Sequence, residues 1–118
     1  MFTISKEYYF SASHILPDLP ADHPCSRMHG HNYIVEVELR AEKLNKHGFV
    51  RDYRELDALK QYIDGTVDHR HLNDIFGDDG TSAESLAKYF YDWCKSRWPE
   101  VSAVRVRETP RSCAEYRG

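Results

Sequence analysis

Cysteine is scarce in this chain of 118 residues: there are three, Cys25, Cys94 and Cys113. An odd count with no C-x-x-C pair argues against a disulfide scaffold and for a reducing, cytoplasmic setting. Long apolar runs are also missing. None exceeds a few residues, and a membrane helix needs about 20, so no membrane span is expected. The opening Met1-Phe2-Thr3-Ile4-Ser5-Lys6 lacks a basic region followed by an apolar stretch, so no secretion signal is expected. There is no Lys/Arg run, and 16 basic residues face 19 acidic ones, a net charge of −3. Bulk electrostatics therefore do not favour nucleic acid as a partner. Gly-rich phosphate loops and G-x-S-x-G are absent, which leaves P-loop NTPases and α/β-hydrolases without support. No repeat, low-complexity segment or linker divides the chain, and its length fits one domain, 1–118.

What is present is alternation, then helical periodicity, then alternation again. Between Thr3 and Ser13 the side chains Phe2, Ile4, Tyr8, Phe10 and Ala12 share one parity, which predicts a strand with one buried face. Pro17, Asp18, Pro20 and Asp22 predict a loop to about Met28. His31 to Arg40 alternates cleanly, with Tyr33, Val35, Val37 and Leu39 on one side. Tyr53, Leu56, Leu59 and Ile63 follow helical spacing, with Asp52 and Glu55 as a capping box and Gly65 as the stop. Thr81 with Glu84 repeats the box before Leu86, Phe90, Trp93 and Arg97, and Pro99 closes that helix. Val101 to Glu108 and Ser112 to Arg117 predict two more strands. The order is ββααββ, an α+β domain whose four-stranded antiparallel sheet is backed by two helices. Such a sheet leaves two edges and one face uncovered, so a homo-oligomer joined edge to edge is expected.

Seven histidines are unevenly placed. His29 and His31 stand two apart at the start of a strand and share a face. His14 ends the first strand on the parity of Phe10 and Ala12. If the two strands are antiparallel neighbours, three neutral imidazoles meet on one face, a site for a first-row metal, most simply zinc. Three protein ligands leave a fourth position for water or substrate, the catalytic pattern. Cys25, four residues before His29, allows two readings. It closes the metal site as a fourth ligand, or it is a free thiol beside the metal, acidified by the cation. Asp68-His69 is an adjacent pair in which a carboxylate can orient an imidazole for acid/base work. Glu108 ends a strand and could accept two parallel N–H bonds from an amidine-like edge. Cys94 and Cys113 read as small packing residues.

Together these residues resemble the 6-pyruvoyltetrahydropterin synthase family, and within it the bacterial 6-carboxytetrahydropterin synthase branch. The resemblance runs through Phe10-Ser11-Ala12-Ser13-His14, Cys25-x-x-x-His29-Gly30-His31-Asn32-Tyr33, Asp52-Tyr53, Asp68-His69-Arg70-His71-Leu72-Asn73, Thr81-Ser82-Ala83-Glu84, Glu108-Thr109 and Tyr116-Arg117-Gly118. It implies a tunnelling fold whose sheets join into a barrel trimer, two trimers stacking as a homohexamer. It implies that His14, His29 and His31 bind zinc. It makes Cys25 a base or nucleophile in a relay with Asp68 and His69, which come from a neighbouring subunit. Glu108, with Thr109 and the Ser82 hydroxyl, would contact the substrate, 7,8-dihydroneopterin triphosphate. The branch implies 6-carboxytetrahydropterin, acetaldehyde and triphosphate as products, on the way to 7-deazaguanines such as queuosine precursors. The pyruvoyl synthase shares the same site, and a non-catalytic zinc module closed by Cys25 is the reading of a different class. Family members usually carry Pro-Thr before the second helix, where this chain has Thr81-Ser82. Arg27 is a candidate for local positive charge near the phosphates, and the acidic loop Gly77-Asp78-Asp79-Gly80 is expected to lie away from them.

Overall fold

The computed structural model describes all residues, Met1–Gly118. Two strands of equal length, β1 (Phe2–His14) and β2 (His29–Ala41), form the antiparallel centre. A 3₁₀ turn at Tyr53–Leu56 leads into α1 (Asp57–Thr66). Then come β3 (Arg70–His71), α2 (Leu72–Phe76), α3 (Ala83–Arg97), β4 (Val101–Arg107) and β5 (Ala114–Tyr116). The sheet order is β3-β1-β2-β4-β5, antiparallel except where β3 runs parallel to β1. No helix is long and apolar enough to cross a membrane.

The alternation holds. Tyr8, Phe10, Ala12, Tyr33, Val35, Val37, Leu39, Val104 and Val106 are buried on the helix-covered face, against Leu59 and Ile63 of α1 and Leu86, Phe90 and Cys94 of α3. The Phe10 and Tyr33 rings stack at 4.7 Å across the central strand pair. Neighbouring aromatics on the two strands thus make the packing that fixes their register. The uncovered face is polar. Its centre is Glu38, which accepts hydrogen bonds from Arg105 Nη2 at 2.7 Å and Arg117 Nη1 at 2.8 Å.

Four local expectations are corrected. The sheet gains a fifth, two-residue strand because His69 N–H donates to Ser11 O and pulls the polar Asp68–Asn73 segment alongside β1. Gly65 lies inside the last turn of α1 without a positive φ, and Val67, fully buried, ends the helix instead. Gly77, at φ 75°, is the positive-φ glycine that ends a helix, stopping α2. The α3 cap is Ser82, whose hydroxyl accepts from Ser85 N–H at 3.1 Å, not Thr81. Asp52 does cap its turn, accepting from Arg54 N–H, but Glu55 pairs with Arg51 and does not reach back to close a box.

Candidate metal centre and acid/base groups

The antiparallel register decides the site. His14 pairs directly with His29, and Ala12 with His31, so the parity that buries Phe10 and Tyr33 carries three imidazoles to the same end of the same face. Their ligand atoms all lie within 4.8 Å of one another. Gly30 between them faces Ser13, and a Cβ there would stand 3.3 Å from the Ala12 carbonyl, tighter than side chains usually accept. His14 is fully buried.

Main-chain carbonyls set two of the tautomers. His14 Nδ1 donates to Thr81 O at 2.9 Å, and His29 Nδ1 donates to Arg27 O at 2.7 Å. Each neutral ring has one proton, so both Nε2 atoms are bare acceptors, and they face each other at 2.9 Å. Two lone pairs at that distance repel unless a proton or cation stands between them. His31 Nε2 is buried and takes no hydrogen bond. An orphaned buried nitrogen beside two facing lone pairs is a donor set that could hold a cation, and nitrogen donors of this type suit zinc.

Glu108, just past β4, adds negative charge. Its Oε2 lies 3.0 Å from His31 Nε2 and 3.3 Å from His14 Nε2. The His14 hydrogen bond holds the Glu108 carboxyl below its usual range, against the opposing effect of burial. Burial disfavours charge on His14, but Glu108 and the Thr81 carbonyl outweigh it and raise its pKa. At His31 burial prevails and the pKa falls. Glu108 also borders a cavity of 250 Å³ lined by Ala83, Glu84, Val106, Ser112, Cys113 and Ala114. Cys113 is exposed there, since β5 starts only at Ala114, so the packing role expected of it is corrected; Cys94 is buried in α3 as expected.

The remaining candidates are not among the three clustered imidazoles. Cys25 is half-buried in a 3₁₀ turn (Pro24–Ser26), where its N–H donates to His23 Nδ1 and its carbonyl accepts from Leu16 N–H. Asp68 holds His69 Nδ1 at 2.9 Å through Oδ2 and accepts Ser11 N–H at 3.0 Å through Oδ1. The Ser11 N–H, ahead of the other influences on it, keeps the Asp68 carboxyl below its usual range. His69 sits at φ 60° with its side chain 81% exposed. It borders a cleft of 440 Å³ that also includes Ser11, Ser13, Asn32, Arg70 and, from the metal-site cluster, His31. Ser11 Oγ bonds Asn32 Oδ1, and both residues have the parity opposite to His14 and His31. Cys25 makes no hydrogen bond to Asp68 or His69 within the chain. Ser82 is occupied as the α3 cap, and Thr109 Oγ1 accepts from Arg111 N–H in the turn after β4.

Sequence reasoning missed the residues that hold the histidines in place. Thr81 and Arg27 act through main-chain carbonyls, which leave no trace in residue type. Asn73 clamps Ile15, next to His14, and its place in the Asp68–Asn73 motif was the only signal.

Residues 3–118 match the family described as 6-pyruvoyl tetrahydropterin synthase. The chain is 34% identical to the 6-carboxy-5,6,7,8-tetrahydropterin synthase of Bacillus subtilis, over 98% of this chain and 85% of that one. It is 31% identical to the protein of the same name from Synechocystis, over 98% and 93%. The 6-pyruvoyl tetrahydropterin synthase structure from Caenorhabditis elegans superposes with a TM-score of 0.86 at 29% identity, covering 99% of this chain and 95% of that one. Matched by the family over residues 3–118 and by the C. elegans fold over essentially its whole length, this chain belongs to the 6-pyruvoyl tetrahydropterin synthase family of enzymes.

Proposed function

We propose that this chain converts 7,8-dihydroneopterin triphosphate to 6-carboxy-5,6,7,8-tetrahydropterin, releasing acetaldehyde and triphosphate, as a zinc-dependent lyase of the cytoplasm feeding 7-deazaguanine (queuosine) synthesis. The observation that carries the reading is the convergence of His14, His29 and His31, two of them with Nδ1 committed to carbonyls, in a chain whose bacterial relatives bear the carboxy name.

The reaction balances without an organic cofactor. One water is consumed and the C1′–C2′ bond breaks. C1′ becomes the carboxylate, while C2′ and C3′ leave as acetaldehyde after the triphosphate departs from C3′. The side chain loses two electrons overall, and the dihydropterin ring takes them up. His14, His29 and His31 would hold the zinc, which would supply Lewis acidity to the side-chain hydroxyls. Cys25 moves a proton at the side chain, and His69, oriented by Asp68, serves as its acid/base partner. Glu108 accepts the paired N–H groups of the pterin's amidine edge, with Thr109 and Ser82 as further contacts.

Cys25 and His69 share neither a hydrogen bond nor a cleft within one chain, although the cleft that His69 borders reaches His31. That arrangement supports sites shared between subunits. The outer edge of β1, paired only at Ala12 and Ser13, and the open edge of β5 support joining of sheets into a barrel, with a homohexamer of two trimers as the assembly. The second reading is pyruvoyl synthase activity, favoured by the likeness to the C. elegans structure. The zinc-module reading is disfavoured because the histidines gather without Cys25.

A product assay decides. Zinc-loaded protein is incubated with 7,8-dihydroneopterin triphosphate, and products are followed by mass. Acetaldehyde with the 6-carboxy product is the expected result. The pyruvoyl product without acetaldehyde would move the assignment to the second reading, and tight zinc with no turnover would leave the module.

A further inference from the structure

We propose that Glu108 is a fourth protein ligand of the metal in the substrate-free enzyme and gives up that place when substrate binds. The proposal rests on the metal-site reading above. Zinc–nitrogen and zinc–oxygen bonds of about 2.0–2.1 Å place the corners of a tetrahedron about 3.3 Å apart. Three such edges occur here: His14 Nε2 to His29 Nε2 at 2.9 Å, His31 Nε2 to Glu108 Oε2 at 3.0 Å, and His14 Nε2 to Glu108 Oε2 at 3.3 Å. With the imidazoles neutral, hydrogen bonding does not account for all three distances. His14 has already donated its neutral-state proton to Thr81, and His31 Nε2, close as it is to the carboxylate, takes no hydrogen bond. Three of the six edges joining these four atoms thus match the spacing of co-ligands of one cation.

The position of Glu108 also gives the carboxylate somewhere to go. It borders the 250 Å³ cavity beside Ser112 and Val106. One carboxylate cannot hold the metal and the pterin edge at once, so its two roles alternate. Side-chain hydroxyls arriving at the metal displace Glu108, which then turns to the ring.

Cobalt(II) substitution reads this directly. Wild type, Glu108→Ala and Glu108→Gln are loaded with Co²⁺, the visible absorption is recorded with and without millimolar azide, and affinity is measured by chelator competition. Wild type is expected to bind one Co²⁺ with a four-coordinate spectrum that azide leaves unchanged and the pterin triphosphate alters. Glu108→Ala is expected to hold the metal at least about tenfold more weakly and to respond to azide, because solvent replaces the carboxylate. Equal affinity and equal azide response in wild type and variant would overturn the proposal and leave the metal reading intact. Failure of wild type to bind cobalt would overturn both. If neither variant folds, the wild-type azide response alone decides: a shifted spectrum refutes the fourth ligand. A cobalt spectrum indifferent to substrate refutes the exchange.

Discussion

Asn73 pairs with Ile15 as a strand would. Its Oδ1 accepts Ile15 N–H at 2.9 Å and its Nδ2 donates to Ile15 O at 2.9 Å. One side-chain amide thus satisfies both main-chain groups of the residue after His14, at the point where β1 ends. Asn73→Ala is expected to cost about 1–3 kcal/mol, the penalty for leaving part-buried main-chain groups unpaired. Because the freed residue adjoins a ligand, zinc affinity should fall with stability. Urea unfolding and chelator competition on the same variant check both, and unchanged metal affinity would limit Asn73 to a folding role.

Position 81 separates main chain from side chain. The Thr81 hydroxyl is fully buried with no partner, while its carbonyl orients His14. Replacing an unsatisfied buried hydroxyl by a methyl is expected to be neutral or mildly stabilising. Thr81→Val should therefore keep zinc affinity and raise or hold the melting temperature. The neighbouring Ser82→Ala removes the α3 cap and should cost about 1 kcal/mol. Thermal unfolding of the two variants side by side tests the contrast.

Glu38 makes stability depend on acid. Burial alone would raise its pKa, but hydrogen bonds from Arg117, Ser102 and Arg105 lower it to about 2. The folded value lies below the unfolded one of about 4.5, so the carboxylate's contribution is complete above that pH and lost as pH falls through 2. The shift corresponds to roughly 3 kcal/mol. Glu38→Gln should be less stable than wild type at neutral pH, with the gap closing between about pH 4.5 and 2. Urea midpoints at stepped pH show whether it does.

Sites shared between subunits predict complementation. Cys25→Ala should retain zinc and lose turnover, and so should His69→Asn. Co-expressed, the two inactive chains should regain about a quarter of wild-type activity, since random mixing gives that share of interfaces an intact Cys25 and an intact His69 from different chains. Activity at background level in the mixed oligomer would place both groups in one chain.

Gly77, like Gly48, is a glycine whose replacement should hurt through backbone alone. Nothing lies within 4 Å of a Cβ there, yet φ is 75°. Gly77→Ala should lower stability by about 1 kcal/mol with no change in metal binding. Calorimetry with and without zinc tests it.

The periodicities made β1, β2, β4 and the two main helices legible, because each buries one face over most of its length. The histidine site was legible for the same reason: His14, His29 and His31 continue the parities of Phe10 and Tyr33, and antiparallel pairing of β1 with β2 brings them together. The two-residue β3 was not, since it arises from hydrogen bonds of His69 and Asp68 to Ser11 rather than from any pattern of its own. Helix boundaries slipped by one or two residues where several polar side chains competed to cap, as at Thr81 and Ser82. The nearness of Glu108 to the imidazoles depends on where β4 ends relative to β2, a distance in space that no local spacing encodes.

The carbonyls of Thr81 and Arg27 have one more consequence. The chain differs from the usual family pattern by carrying threonine where proline is common, and a proline would present its carbonyl from the same place. Tautomer control at His14 is therefore indifferent to that exchange. In a library selected for metal binding, exposed position 27 would accept most residues and fully buried position 81 any small uncharged one, although both orient the ligands, because what the imidazoles touch there is common to every amino acid.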